Sequence, residues 1–186
     1  MILRLFLIVL VPVVTFLQKP GMVPVQIGKA ISLYLPSELV LQDPAEASAR
    51  FMTGRQPLAL YSDASGQIDF SVNRAVTQWG NGDYEIMKSF YKSTIMGLYT
   101  EVHFLSEDIR ETNGRTFVFF EFLGTIVPDE GTALRESATL RYSSIMYTLE
   151  RGETLLFNFS CPGRLQDQWS ARAAEIMQSI RISGLP

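Results

Sequence analysis

Two dipeptides constrain this chain more than anything else in it. Asn113-Gly114 and Arg151-Gly152 each sit between long runs with strand character. Val102 to Glu111 and Arg115 to Thr125 flank the first, and Ser137 to Glu150 and Glu153 to Ser160 flank the second. Asn-Gly tolerates the positive φ angles of a tight hairpin turn, so each pair of runs predicts a β-hairpin. Upstream, Pro57 to Tyr61 and the alternating Ile68, Phe70 and Val72 surround the turn-like Asp63-Ala64-Ser65-Gly66, a third hairpin. Before it, Ile31, Leu33 and Leu35 alternate in a strand over Ala30 to Leu35 that Pro36 stops. Strands that follow one another through short turns pair antiparallel, because parallel neighbours need a long crossover.

Two amphipathic helices interrupt this series. Asp83, after Asn81-Gly82, is a plausible N-cap for a helix with Met87, Phe90, Tyr91, Thr94 and Leu98 on its apolar face. Glu85, Lys88, Ser89 and Lys92 fall mostly on the other side. Near the end of the chain, Leu165, Trp169, Ala173, Ile176 and Ile180 mark a second helix, with Gly184 beyond it. Residues 37 to 54 suggest a short helical turn and loop, and Val127 to Arg135 an exposed loop. The unbroken run Phe117-Val118-Phe119-Phe120 implies a strand covered on both faces. The expected fold class is therefore α+β: an αβα sandwich, a mainly antiparallel sheet with helices on both faces. A closed lipocalin-like barrel also uses consecutive hairpins, but two strong helices count against it.

A length of 186 residues suits one domain, since single cores split only beyond roughly 250 residues. The chain opens MILRLFLIVLVPVVTFLQKPG: Arg4 is a positive start, and Leu5 to Leu17 is an apolar run ended by Gln18-Lys19-Pro20. That run has the length of a signal-peptide core and falls short of the roughly 20 residues that span a bilayer. No A-x-A site or lipid-accepting cysteine follows, so residues 1–20 are expected to be a signal peptide or an N-terminal anchor. Residues 21–28, with Gly21, Pro24 and Gly28, read as a linker, and residues 29–186 as the single domain. The expected location is the periplasm or outside the cell, with membrane contact through the N-terminal segment.

The element order also resembles a known superfamily. GKAISLYLP as first strand is followed by the hairpin LALYSDASGQIDFSV, a mid-chain helix, four strands including NGRTFVFFEF, and the closing FNFSCPGRLQDQWSARAAEIMQSIRI. This order, over about residues 28 to 183, resembles the superfamily of PsbP photosystem extrinsic proteins, Ran-binding Mog-type proteins and DcrB-like exported proteins. The resemblance implies a PsbP-like αβα sandwich used for binding and assembly, without a shared catalytic constellation.

Composition narrows the chemistry. With a net charge of −3 and Lys and Arg scattered singly, no basic footprint for nucleic acid is present. One cysteine forms no internal disulfide, and one histidine builds no His-rich metal site. No G-x-S-x-G, dinucleotide-binding or P-loop pattern occurs, so no cofactor is expected. Glu107-Asp108 and Asp129-Glu130 are neighbours in sequence and should point in different directions. Cys161 lies at a strand-to-helix corner, where a nucleophile needs a lowered pKa and a base; His103 is the only candidate base. The preferred reading makes Cys161 packing and His103 part of a polar strand face shared with Glu101. Trp79, in the Gly-rich corner TQWGNGD, is harder to place in a core. Trp79, Tyr84 and the loop with Asp129 and Glu130 form the expected partner surface. The expected function is a non-catalytic binding or assembly-accessory protein that contacts another protein or a membrane-associated complex. The alternatives are a hydrolase using Cys161 and His103, or a carrier of a small ligand or lipid under the first helix.

Overall fold

The computed structural model describes residues 21–44, 56–80, 82–127 and 138–183. Within them, the hairpins form one seven-stranded sheet. Its strands are β3 (Val40–Leu41), β4 (Ala59–Ser62), β5 (Asp69–Val76), β6 (Glu101–Thr112), β7 (Arg115–Ile126), β8 (Thr139–Glu150) and β9 (Glu153–Pro162). They lie in the order β3-β4-β5-β9-β8-β7-β6, and every neighbouring pair is antiparallel.

The turns hold for the reason the dipeptides suggested. Asn113 and Gly114 have φ of 49° and 76°, and Arg151 and Gly152 have 50° and 77°, the paired positive angles whose twist matches a hairpin. Arg151 adopts a conformation its side chain does not favour, held by ten register pairs between β8 and β9. In the β4–β5 turn the carboxylate of Asp63 accepts hydrogen bonds from the backbone N–H groups of Ser65, Gln67 and Ile68, an Asx-type closure.

Residues 21–28 are not a linker. Met22–Ile27 form strand β1, paired along its length with β2 (Ile31–Pro36), and β10 (Arg181–Ile182) joins the other side of β2. Pro24 is tolerated because β1 is an edge strand, with no further ladder to receive a hydrogen bond from that position. Met22 and Ile27 anchor the strand in the core.

Helix α1 (Tyr84–Leu98) and helix α2 (Gln166–Ser179) take opposite faces of the large sheet. Alternation along β7 shows it: Phe117 and Phe119 enter the larger core with α2 and the three-stranded sheet, while Val118, Phe120 and Phe122 enter a second core under α1. All four residues of the Phe117–Phe120 run are buried, so this strand is covered on both sides. The stripe expected on α2 is the observed one, with Trp169, Ala173, Ile176 and Ile180 buried. Asn113 ties turn to helix, its amide donating to the carbonyls of Gln178 and Ile180.

The stripe expected on α1 is rotated. Met87 and Ile95 are buried, with Tyr91 half-buried between them, whereas Phe90 and Leu98 are exposed by 51% and 68%. Steps of four residues, 87 to 91 to 95, define the face that meets the sheet. Sequence periodicity could not choose this phase, because Ile86, Phe90, Met96 and Leu98 are equally apolar and point outward. The helical turn expected within 37–54 falls largely on residues outside those described; its start is the short strand β3. Gly184 also lies outside them.

Candidate binding groove

Cys161, near the end of β9, is fully buried in the larger core. Burial pushes its thiol pKa up to about 11, against a smaller lowering by Arg141 and Arg164. His103 is exposed on β6, the far edge of the sheet. The register places His103 opposite Leu123, Leu123 opposite Tyr142, and Tyr142 opposite Cys161. Three strand spacings of about 4.8 Å separate thiol from imidazole by roughly 14 Å, far beyond hydrogen-bond reach. The hydrolase reading built on this pair is not supported by the arrangement. Glu107 and Asp108 point to opposite faces, as expected, with Glu107 2.7 Å from Lys92 of α1. Among the described residues, no group of three or more His, Cys, Asp or Glu is placed to hold a metal ion.

A small cleft of about 100 Å³ lies between α2 and strands β6 to β8. Within it Tyr142 Oη donates to Glu121 at 2.7 Å, and the Arg110 guanidinium lies over the Phe119 ring with its Nε making no hydrogen bond among the described residues. Burial, followed by this carboxylate, raises the Tyr142 pKa.

The larger opening is on the other face. Helix α1 packs on β6, β7 and the β8 residues of the smaller core, so its flank stands beside β5 and β9 instead of covering them. This leaves a groove of about 540 Å³. One wall is the α1 flank with Asp83, Ile86, Phe90 and Tyr91; the other is Ala75, Val76 and the connection through Thr77, Gln78 and Trp79. A second chamber of about 260 Å³ shares Ala75, Tyr91 and Thr154 with it and adds Gln56, Asn73, Arg74, Tyr147 and Leu156.

Aromatic rings link the two. Trp79 and Phe90 have centroids 5.6 Å apart, Phe90 and Tyr91 5.2 Å, and Tyr91 stacks on Tyr147 at 3.8 Å and 15°. Burial raises the Tyr147 pKa, moving a phenol already neutral at physiological pH further from ionisation. The loop uses its polar groups internally. Asp83 occupies the N-cap position but makes no side-chain cap bond; its Oδ2 accepts the Gly80 N–H at 2.7 Å instead. Thr77 Oγ1 accepts the Trp79 N–H at 3.2 Å. Thr154, on β9 opposite Ala75, is different: it is 3% exposed, and its Oγ1 has no hydrogen-bond partner among the described residues.

Of the expected partner surface, Trp79 lines this groove, and Tyr84 is half-buried against the smaller core. Asp129 and Glu130 lie outside the described residues. Thr154, Tyr147 and Ile86 carry no sequence signal for the groove; only the β5–β9 register and the phase of α1 bring them together.

Comparison with solved structures places this architecture. Cyanobacterial PsbP (CyanoP) from Synechocystis superposes with a TM-score of 0.56 at 14% identity, over 90% of this chain and 95% of its own. The chain has the PsbP-like fold. The Ran-binding protein Mog1p of Saccharomyces cerevisiae gives 0.53 at 11%, over 87% and 95%. LpqN of Mycobacterium tuberculosis, involved in cell envelope biogenesis, gives 0.51 at 12%, over 87% and 90%. No family model matches the sequence, and no curated protein matches it. At these identities the likeness is one of fold.

Proposed function

We propose that this PsbP-like protein is a non-catalytic binding or assembly-accessory protein, exported to the periplasm or beyond, that contacts another protein or a membrane-associated complex through the face carrying α1. The observation that carries this reading is the outer side of α1. Ile86, Phe90 and Met96 expose 51–60% of their surface there, beside the half-buried Trp79. Clustered exposed apolar side chains on one helix are characteristic of interaction surfaces. The buried thiol of Cys161, three strands from His103, supports a role without covalent catalysis. Two proteins of the same fold are consistent with it: one is named as Ran-binding and another as acting in envelope biogenesis. The N-terminal apolar run supports export, and no helix among the described residues is long and apolar enough to cross a membrane.

Site-specific photo-crosslinking in cells tests the surface. A crosslinking residue at Ile86 or Phe90 should trap a discrete partner, and one at exposed Gln168 on α2 should not. Equal trapping from both faces, or none from α1, overturns the assignment. Fractionation of the full chain and of a chain lacking residues 1–20 tests the location. The full chain should reach the envelope and the shortened one stay in the cytosol; both in the cytosol overturns export.

A further inference from the structure

We infer that the groove between α1 and strands β5 and β9 is a binding site for a small, planar, uncharged arene carrying one hydroxyl or equivalent hydrogen-bonding group. The groove shares Ile86, Phe90 and Trp79 with the partner surface proposed above, but the inference rests on its ring geometry and on Thr154 and needs no protein partner. Its first support is Thr154. A hydroxyl that is 97% buried and unpartnered is costly, because its hydration is lost and not replaced. Valine would fill the same volume without that cost, so this position on the strand is poorly explained by packing alone.

The second support is what surrounds that hydroxyl. Thr154 lines both chambers, at the point where they meet Tyr91 and Ala75. Above it the rings of Trp79, Phe90 and Tyr91 form a chain of tilted and edge-on contacts, with the Tyr91–Tyr147 stack closing one end. Ring faces of this kind accept another flat ring by offset stacking or edge contact. The combined size is that of small-molecule pockets, which are mostly apolar with a few placed polar groups. Charge is the third consideration. Two charged side chains line the chambers: the Asp83 carboxylate already accepts the Gly80 N–H, and Arg74, in the smaller chamber, is paired with Glu153 at 3.5 Å. With both charges engaged by protein groups, the group left to be recognised by the unpartnered Thr154 hydroxyl is a neutral one.

Phenol and toluene are suitable probes, since they match in shape and differ by one hydroxyl. Binding to the full-length protein is followed by the NMR shifts of the two indole N–H signals. Trp79 lines the groove, while Trp169 is buried against Phe159 on the opposite face and serves as an internal control. Phenol should shift Trp79 and leave Trp169 in place, with millimolar affinity, and toluene should bind about tenfold more weakly. Thr154→Val should reverse the preference: phenol binding falls about tenfold and toluene binding is kept or improved. The same substitution should raise the unfolding midpoint of the free protein, because it removes the unpartnered hydroxyl. Trp79→Ala, at a half-buried loop position, should weaken both probes and leave the near-UV signal of Trp169 intact. Three results would overturn the inference: no Trp79 shift with either probe, equal ranking of the probes in wild type and Thr154→Val, or tetramethylammonium outcompeting phenol. The last would make the rings a cation cage centred on Asp83.

Discussion

The thiol of Cys161 faces the side chains of the larger core, and that makes it a pH sensor of stability rather than a nucleophile. Its folded pKa is about 11, raised above an unfolded value of about 8.5. The neutral form is therefore favoured by folding. The stabilisation is fully present below about pH 8.5 and is lost as pH rises toward 11, because the unfolded chain releases the proton first. Urea midpoints measured from pH 8 to 11 should fall, and Cys161→Ala should flatten the part of that fall below the tyrosine range. Tyr61, Tyr142 and Tyr147, all raised chiefly by burial, extend the loss to higher pH. The native thiol should also resist a disulfide reagent at pH 8 until the chain unfolds. Rapid native labelling would contradict the burial described here. A second residue tests the hairpin turn: Arg151→Gly should stabilise the protein by about 0.5–1 kcal/mol in thermal unfolding, since glycine takes φ of 50° without a Cβ penalty. The role of Cys161 was legible in the sequence, where the lack of a nearby base argued for packing. The depth of its burial was not, because strand β9 alone does not show that α2 and the small sheet close over it.

Helix α1 shows what periodicity resolves and what it leaves open. Its position and length follow from the apolar repeat after Asn81-Gly82, but its rotation depends on which apolar row meets the sheet. Tyr91 decides it by stacking on Tyr147 of β8, a residue 56 positions away in sequence that only the β7–β8–β9 register presents. Met87→Ala and Ile95→Ala should each destabilise by about 2–4 kcal/mol, the usual cost of a cavity under a helix. Met96→Ser and Leu98→Ser should change stability by no more than about 0.5 kcal/mol, since both side chains already face solvent. Denaturant unfolding of the four variants distinguishes the observed phase from the one periodicity suggested, in which Leu98 belongs to the buried row. The strands were easier to read. Turn dipeptides mark their ends, and a period of two has only two phases to choose between.

The two cores share a single sheet, so loss of a peripheral strand weakens the larger one directly. A chain beginning at Gly21 keeps β1, whereas one beginning at Lys29 loses it, exposing Ile31, Leu33 and Leu35 of β2 along one edge. The longer form should fold and melt cooperatively, and the shorter should melt lower or aggregate. Equal melting would mean that residues 21–28 contribute nothing, the linker reading that the β1–β2 ladder contradicts. Pro24 and the glycines at both ends gave that stretch the composition of a connector, and only the presence of β2 beside it makes it a strand.

By itself the sequence determined the antiparallel order of hairpins, the existence of both helices, the double coverage of β7 and the want of a local catalytic motif. These are properties of neighbours in sequence: turn dihedrals, periods of two and 3.6, and motif spacing. Tertiary structure alone decided the rest. The edge position that admits Pro24, the rotation of α1, the separation of Cys161 from His103, and the meeting of Trp79, Tyr91, Tyr147 and Thr154 around one groove all depend on strand register and helix docking. Contacts between residues distant in the chain are set by packing the whole core at once, and no local pattern encodes them.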